Sequence, residues 1–226
     1  MNYFVEGIQG SGKSTLVQRL ENKYPQYRTY KEGEYTPIEL AWCAYVDSDT
    51  YEEILKKFPE MEEAVKQNTI REDEHLIITY TKIRTENVQF YQELEKYEIY
   101  NGNLDKEEFE QIILSRYEKW KGENGIFECV IVQNIIENMM LYLELDEEEI
   151  LDFYRRLHNV LQGKEKWFEL MVEYIEQSPY GKKHNYCGME GLVAHLERRI
   201  RLEKRLIQEV FLEETEVMLS KRYQWS

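Results

Sequence analysis

The sequence predicts an α/β fold in which a parallel β-sheet is built around a phosphate-binding loop and covered extensively by helices. Three observations carry that reading. Gly7-Ile8-Gln9-Gly10-Ser11-Gly12-Lys13-Ser14-Thr15 satisfies the pattern G-x-x-x-x-G-K-[ST] at every fixed position. The β-prone run Asn2-Tyr3-Phe4-Val5-Glu6 precedes it, and Leu16 and Leu20 follow one helical turn apart. Further on, Gly125-Ile126-Phe127-Glu128-Cys129-Val130-Ile131 is short, apolar and flanked by turn signals, as a buried parallel strand is.

The strand–glycine loop–helix context gives the first pattern a mechanism. Glycines without a Cβ let the backbone curl so that successive N–H groups converge, and the helix that follows adds its partial positive charge at the same place. Gly7, Gly10, Ser11, Gly12, Lys13, Ser14 and Thr15 are therefore the expected nucleotide-binding residues. Lys13 would reach the β- and γ-phosphates of ATP, and the Ser14 hydroxyl would ligate Mg²⁺.

Composition narrows the class. The chain has 226 residues, 42% of them hydrophobic, with 18 Tyr, 8 Phe and 4 Trp, which is enough apolar surface for a real core. A net charge of -15 argues against binding a nucleic-acid polymer, which needs an extended basic face. One glycine loop and a few cations suffice for a mononucleotide. Cys43, Cys129 and Cys187 fit no zinc spacing and no disulfide framework. No signal-peptide pattern opens the sequence and no run approaches membrane-spanning length, so the expected setting is cytoplasmic, with no membrane contact. A homodimer is compatible with this.

In chain order, the first helix should stop near Tyr24, because Pro25 bars its predecessor from helical geometry. Tyr27-Arg28-Thr29-Tyr30-Lys31-Glu32 reads as a second strand and Gly33 as a tight departure from it. Pro37 suits the first turn of a helix carrying Ile38, Ala41, Trp42 and Tyr45. Asp49 would cap the next, with Tyr51, Ile54, Leu55 and Phe58, up to Pro59. The β-branched run over 75–83 reads as a strand inside an otherwise helical block. Helices are expected over 86–96 and 105–121, the second with Phe109, Ile113, Tyr117 and Trp120 on one side. After the strand at 125–131, the segment 134–143 is apolar and helical, although 140–146 reads equally as a fourth strand. Asp146 and Glu149 form a capping-box pair for a helix with Ile150, Phe153, Tyr154, Leu157 and Leu161. A helix over 164–176, a loop over 178–188 and a last long helix from about 189 past Leu206 complete the pass. Val217-Met218-Leu219 is the late candidate for a further strand.

The phosphate loop, the stretch Lys31-Glu32-Gly33-Glu34-Tyr35-Thr36-Pro37 and the pair Phe127-Glu128 together resemble the P-loop kinase superfamily of thymidylate kinase and the deoxynucleoside kinases. The resemblance implies a P-loop NTPase fold of nucleoside/nucleotide kinase type. It implies one domain over 1–226, with a helical insertion at about 37–121 and a lid at about 178–201. In that family an acidic residue ending the second strand faces the phosphoryl acceptor, a Phe-Glu-Arg-Ser-type motif ends the third strand, and arginines sit in a mobile lid. This chain has Cys129 where the family has arginine. Arg198, Arg199 and Arg201 stand where lid arginines would be.

The implied activity is ATP-dependent phosphoryl transfer to a small-molecule acceptor, a nucleoside or nucleotide. Lys13, Glu32, Glu128 and Arg199 are the expected catalytic residues, and Ser14 and Glu128 the expected magnesium ligands. Glu34 is a second acid beside Glu32. Glu128 stands in an apolar strand, where an unpaired carboxylate is costly. Each reading has a structural alternative: Glu32 and Glu34 as solvated loop acids, the arginines as a helix face paired with Glu197 and Glu203, Tyr35, Trp42 and Tyr45 as core rather than ring-stacking residues. Two other functions share the same residues. One is a nucleotide-binding module or weak ATPase acting through a protein partner, and the other an antibiotic-modifying kinase.

Overall fold

The computed structural model describes residues 2–7, 12–122, 124–161, 170–171 and 190–211. Strand β1 (Tyr3–Val5) leads into helix α1 (Lys13–Lys23), which ends at Tyr24 before Pro25 as the sequence predicts. Strand β2 (Arg28–Tyr30) follows. The chain then leaves for an excursion and returns as β6 (Gly125–Glu128), which inserts between β1 and β2 with both pairings parallel. With the two-residue strand β7 (Leu170–Met171) on the other side of β1, the sheet order is β2-β6-β1-β7.

The pleat explains the layering. Tyr3, Val5 and Ile126 pack with Val17 and Leu20 of α1 on one face. Phe4 and Phe127, one residue out of step, point to the other face and into the main core. There the registered residues Phe4, Phe127 and Tyr30 stack in a row, with ring centroids 5.2 and 4.7 Å apart. Helices α5 (Lys106–Lys119) and α7 (Glu147–Leu161) cover this face. Asp105 caps α5 through the Glu108 N–H, and Asp146 and Glu149 form the expected reciprocal box at α7, at 2.9 and 3.0 Å. Helix α8 (Glu190–Leu206) lies where the last long helix was expected.

The excursion corrects the expected helical insertion. It contains an antiparallel sheet of its own, order β3-β5-β4, made of β3 (Ala44–Val46), β4 (Thr69–Glu72) and β5 (His75–Ile78). Helices α2 (Ser48–Lys57), α3 (Glu62–Gln67) and α4 (Val88–Glu95) accompany it, and a separate core of Val46, Ile54, Val65, Ile78 and Phe90 holds it together. The run at 75–83 is thus a strand, but of this second sheet. Asp47, not Asp49, caps α2.

The helix expected from Pro37 through Tyr45 is absent. The Glu39 carboxylate accepts the Ala41 N–H at 2.6 Å, so a local side chain takes the first donor that a helix from Pro37 would use. Tyr45 is in β3 instead. The apolar stretch after β6 forms α6 (Gln133–Glu137) and one π turn (Asn138–Tyr142), which removes the fourth-strand reading of 140–146. Leu170–Met171 is strand rather than helix, fixed by its pairing with Phe4 and Val5. Residues 178–189 of the expected lid and 217–219 lie outside the described residues; 190–201 belong to α8. No described helix is long and apolar enough to cross a membrane.

Candidate active site

The carboxyl ends of β1, β2 and β6 converge, which is where open α/β sheets bind ligands. Gly7 leaves β1 at φ 147° and Gly12 enters α1 in a left-handed conformation at φ 99°, a geometry that suits glycine. Lys13, the first residue of α1, is 8% exposed. Ser14 and Thr15 follow it on the exposed first turn, and Gly10 and Ser11 lie outside the described residues. Ser14 Oγ donates to Glu128 Oε1 at 2.8 Å, joining residues 114 positions apart. The other Glu128 oxygen, Oε2, accepts the Glu32 N–H at 3.4 Å, so one carboxylate ties the ends of all three strands together. A cavity of about 530 Å³ opens here, lined by Ser14, Lys31, Glu32, Gly33, Trp42, Thr81 and Glu128.

The other expected residues divide. Glu32 is exposed at the cavity, and its Oε2 accepts the Cys129 thiol at 3.6 Å. Glu34 is tied to Lys82 at 3.2 Å and does not line the cavity. Cys129 is buried, and burial pushes its thiol up, so it is an inert donor. Arg199 requires a correction. It is 1% exposed and its guanidinium is held by Glu203 at 2.8 Å and by Glu137, a buried structural pair rather than a lid cation. Arg198 donates to the Leu145 carbonyl at 3.1 Å and Arg201 pairs with Glu147 at 3.3 Å. Tyr35 and Tyr45 are half-buried at a different cleft. Trp42 is not core: it is 46% exposed on the cavity wall, in a left-handed conformation at φ 64°. Such strain on a bulky residue collects at functional positions. Beyond it lies a pit of about 170 Å³, with Asn134, Asn138 and Glu98 among its polar walls.

Glu6 was missed in the sequence. It is 1% exposed, and its carboxylate accepts N–H groups from Ile131 at 2.8 Å, Val132 at 3.2 Å and Gln133 at 3.1 Å. It thereby caps α6 and fixes the turn after Glu128. The available signal was the repeated pattern of an apolar strand ending in one carboxylate, Val5-Glu6 beside Phe127-Glu128. Burial raises the Glu6 carboxyl from the ordinary 4.5 to about 7, against the opposing pull of the three N–H bonds and of Lys13. Burial likewise raises Glu39 to about 8.

Both groups hold their proton more tightly in the folded chain than in the unfolded one, so ionising them weakens the fold. Stability should fall as pH rises from about 4.5 to 8, by on the order of 3 kcal/mol for each carboxyl. Surface acids held low by cations, such as Glu93 beside Lys57, act with the opposite sign but only below about 4.5. Urea unfolding at pH 5 and pH 8 checks this: the midpoint should be higher at pH 5, and Glu39→Gln should reduce the difference.

Among the described residues no three His, Cys, Asp or Glu side chains form a metal cluster. Mg²⁺ does not need one, since it binds through one or two protein oxygens with substrate phosphates and water completing its shell. The adjacent Ser14 hydroxyl and Glu128 carboxylate are hard oxygen donors of that kind. No protein-family model matches the chain, and no curated protein matches it either.

Proposed function

We propose that the protein transfers the terminal phosphoryl group of ATP to a hydroxyl of a small-molecule acceptor, a nucleoside or nucleotide. The observation that carries this reading is the 2.8 Å bond from the Ser14 hydroxyl to Glu128, at a cavity that Glu32 also lines. Lys13 and the loop amides bind the β- and γ-phosphates. Ser14 and Glu128 would hold Mg²⁺, which when bound neutralises charge on the phosphate oxygens. Glu32 accepts the proton of the attacking hydroxyl, or orients that hydroxyl, from its exposed place on the cavity wall. Lys31 adds a positive charge there. Trp42 offers the face of a ring to a planar acceptor, and the adjoining pit offers amide and carboxylate edges.

ATP turnover by the pure chain, with and without a panel of nucleosides, nucleotides and aminoglycosides, tests the proposal. Turnover that depends on a nucleoside or nucleotide supports it, and dependence on an aminoglycoside moves the acceptor to the antibiotic class. Glu128→Gln and Glu32→Gln should each lower acceptor-dependent kcat by about 100-fold or more. Full activity in both variants would overturn the assigned roles. A second reading, nucleotide binding with slow hydrolysis that serves a protein partner, is favoured by one observation: among the described residues no arginine lines the cavity. Hydrolysis indifferent to every acceptor would select it.

A further inference from the structure

A larger cleft, of about 940 Å³, lies beside β2 between α5 and the β4–β5 hairpin, and it shares no lining residue with the cavity at Ser14 and Glu128. Its walls reverse the charge of the molecule. Arg28, Arg71, Arg116, Lys119 and Lys121 face only three carboxylates, Glu72, Asp73 and Glu74, in a chain of net charge -15. Aromatic surface accompanies the cations. Tyr30 and Trp120 line the cleft, Tyr45 and His75 stack 4.2 Å apart at 12°, and the Arg28 guanidinium lies 4.8 Å from the Tyr30 ring centre.

One buried cation lies behind the cleft wall. Arg116 is 7% exposed; its guanidinium pairs with Glu72 and donates to the Thr36 carbonyl at 2.7 Å. Its Nε–H is buried and finds no acceptor among the described residues. Arg71, exposed on β4, lines the same cleft, where its guanidinium can give charge-assisted hydrogen bonds to an anionic oxygen.

We propose that this cleft is a binding site for a small molecule that joins a planar aromatic ring to a phosphate, the chemistry of an aryl or nucleoside monophosphate. The ring stacks on the aromatic walls and the phosphate takes charge-assisted hydrogen bonds from Arg71, with the positive charge of Arg116 behind it. The volume suits a ligand of that size. The site stands apart from the proposed phosphoryl transfer, and neither reading needs the other.

Calorimetry with phenyl phosphate tests it, using full-length Lys13→Ala protein so that the phosphate loop contributes little, with inorganic phosphate and phenol as the separate halves. Phenyl phosphate should bind one site about tenfold or more tighter than either half. Arg71→Gln should weaken it about tenfold, the loss expected for one charge-assisted hydrogen bond. Lys121→Gln, on the rim, should weaken it in the same direction. Both changes are at the surface, and an unchanged Tm confirms that the variants are folded. Phenyl phosphate binding no tighter than inorganic phosphate, or binding indifferent to both substitutions, would overturn the proposal.

Discussion

Lys13→Ala should lose ATP binding by about 30- to 5,000-fold while the chain stays folded, the 2–5 kcal/mol that removal of one partner from a desolvated charge contact costs. Lys13 is 8% exposed as the first residue of α1, and it follows a glycine whose left-handed backbone opens the helix. Its ammonium also lowers the proton affinity of Glu6, by less than burial and the three N–H bonds affect it. A structural role and a nucleotide role therefore predict different results. If Lys13 serves only to offset Glu6, alanine lowers Tm and leaves affinity for a non-hydrolysable ATP analogue unchanged. If it serves the phosphates, calorimetry with the analogue and Mg²⁺ shows the loss, and Tm moves little in the absence of nucleotide. Affinity within about threefold of the parent chain would remove the role assigned to Lys13, because loop amides and a helix terminus would then supply the whole interaction. Either way, the loss of Lys13 should push Glu6 further up and steepen the decline of stability towards pH 8.

What could be read from the sequence is what depends on neighbours along the chain. The Asp146–Glu149 box is set by residues three apart, and so is the Asp105 cap of α5. The stop at Tyr24 needs only Pro25. The alternation that sends Phe4 and Phe127 to one face and Val5 and Ile126 to the other is likewise local. The misreadings are places where distant partners overrule local spacing. Ile38, Ala41, Trp42 and Tyr45 keep a helical interval, yet Tyr45 is a strand residue because Ile77 pairs with it. Leu170 and Met171 sit in a run with helical spacing and become strand through the edge of β1. Arg199 looked like an exposed cation on a charged helix. The pairing with Glu203, four residues on, was the readable alternative and is present, but the burial of Arg199 and its second partner Glu137, 62 positions earlier, are shown by no local pattern. The site was legible in part: Ser14 and Glu128 were each singled out, but only the parallel pairing of β1 with β6 puts the hydroxyl and carboxylate in contact.

Glu6→Ala should be the most destabilising single change at this site. The turn after Glu128 is nearly closed in its hydrogen bonding. The Cys129 N–H donates to the Val5 carbonyl at 3.1 Å, and the carbonyls of Cys129, Val130 and Ile131 accept from Asn134, Tyr117 and Tyr154 at 2.8 to 2.9 Å. Three of its remaining donors, on Ile131, Val132 and Gln133, end on Glu6 among the described residues. Alanine strands all of them in a buried setting. At about 1 kcal/mol or more for each orphaned group, the loss is about 3 kcal/mol or greater, a fall in Tm of roughly 10 °C for a chain of this size. Glu6→Gln separates hydrogen bonding from charge. Its carbonyl oxygen still accepts, while its NH2 cannot serve the donor on the other side, so the loss should lie between those of the parent and alanine chains. It should also flatten the decline in stability between pH 5 and pH 8, since nothing at that position is left to ionise. Because the turn carries Glu128 at its start, Glu6→Ala should weaken magnesium-dependent nucleotide binding as well, without touching a phosphate. A Tm within about 3 °C of the parent would show that water reaches those three N–H groups, and Glu6 would then have no part in holding Glu128 against Ser14.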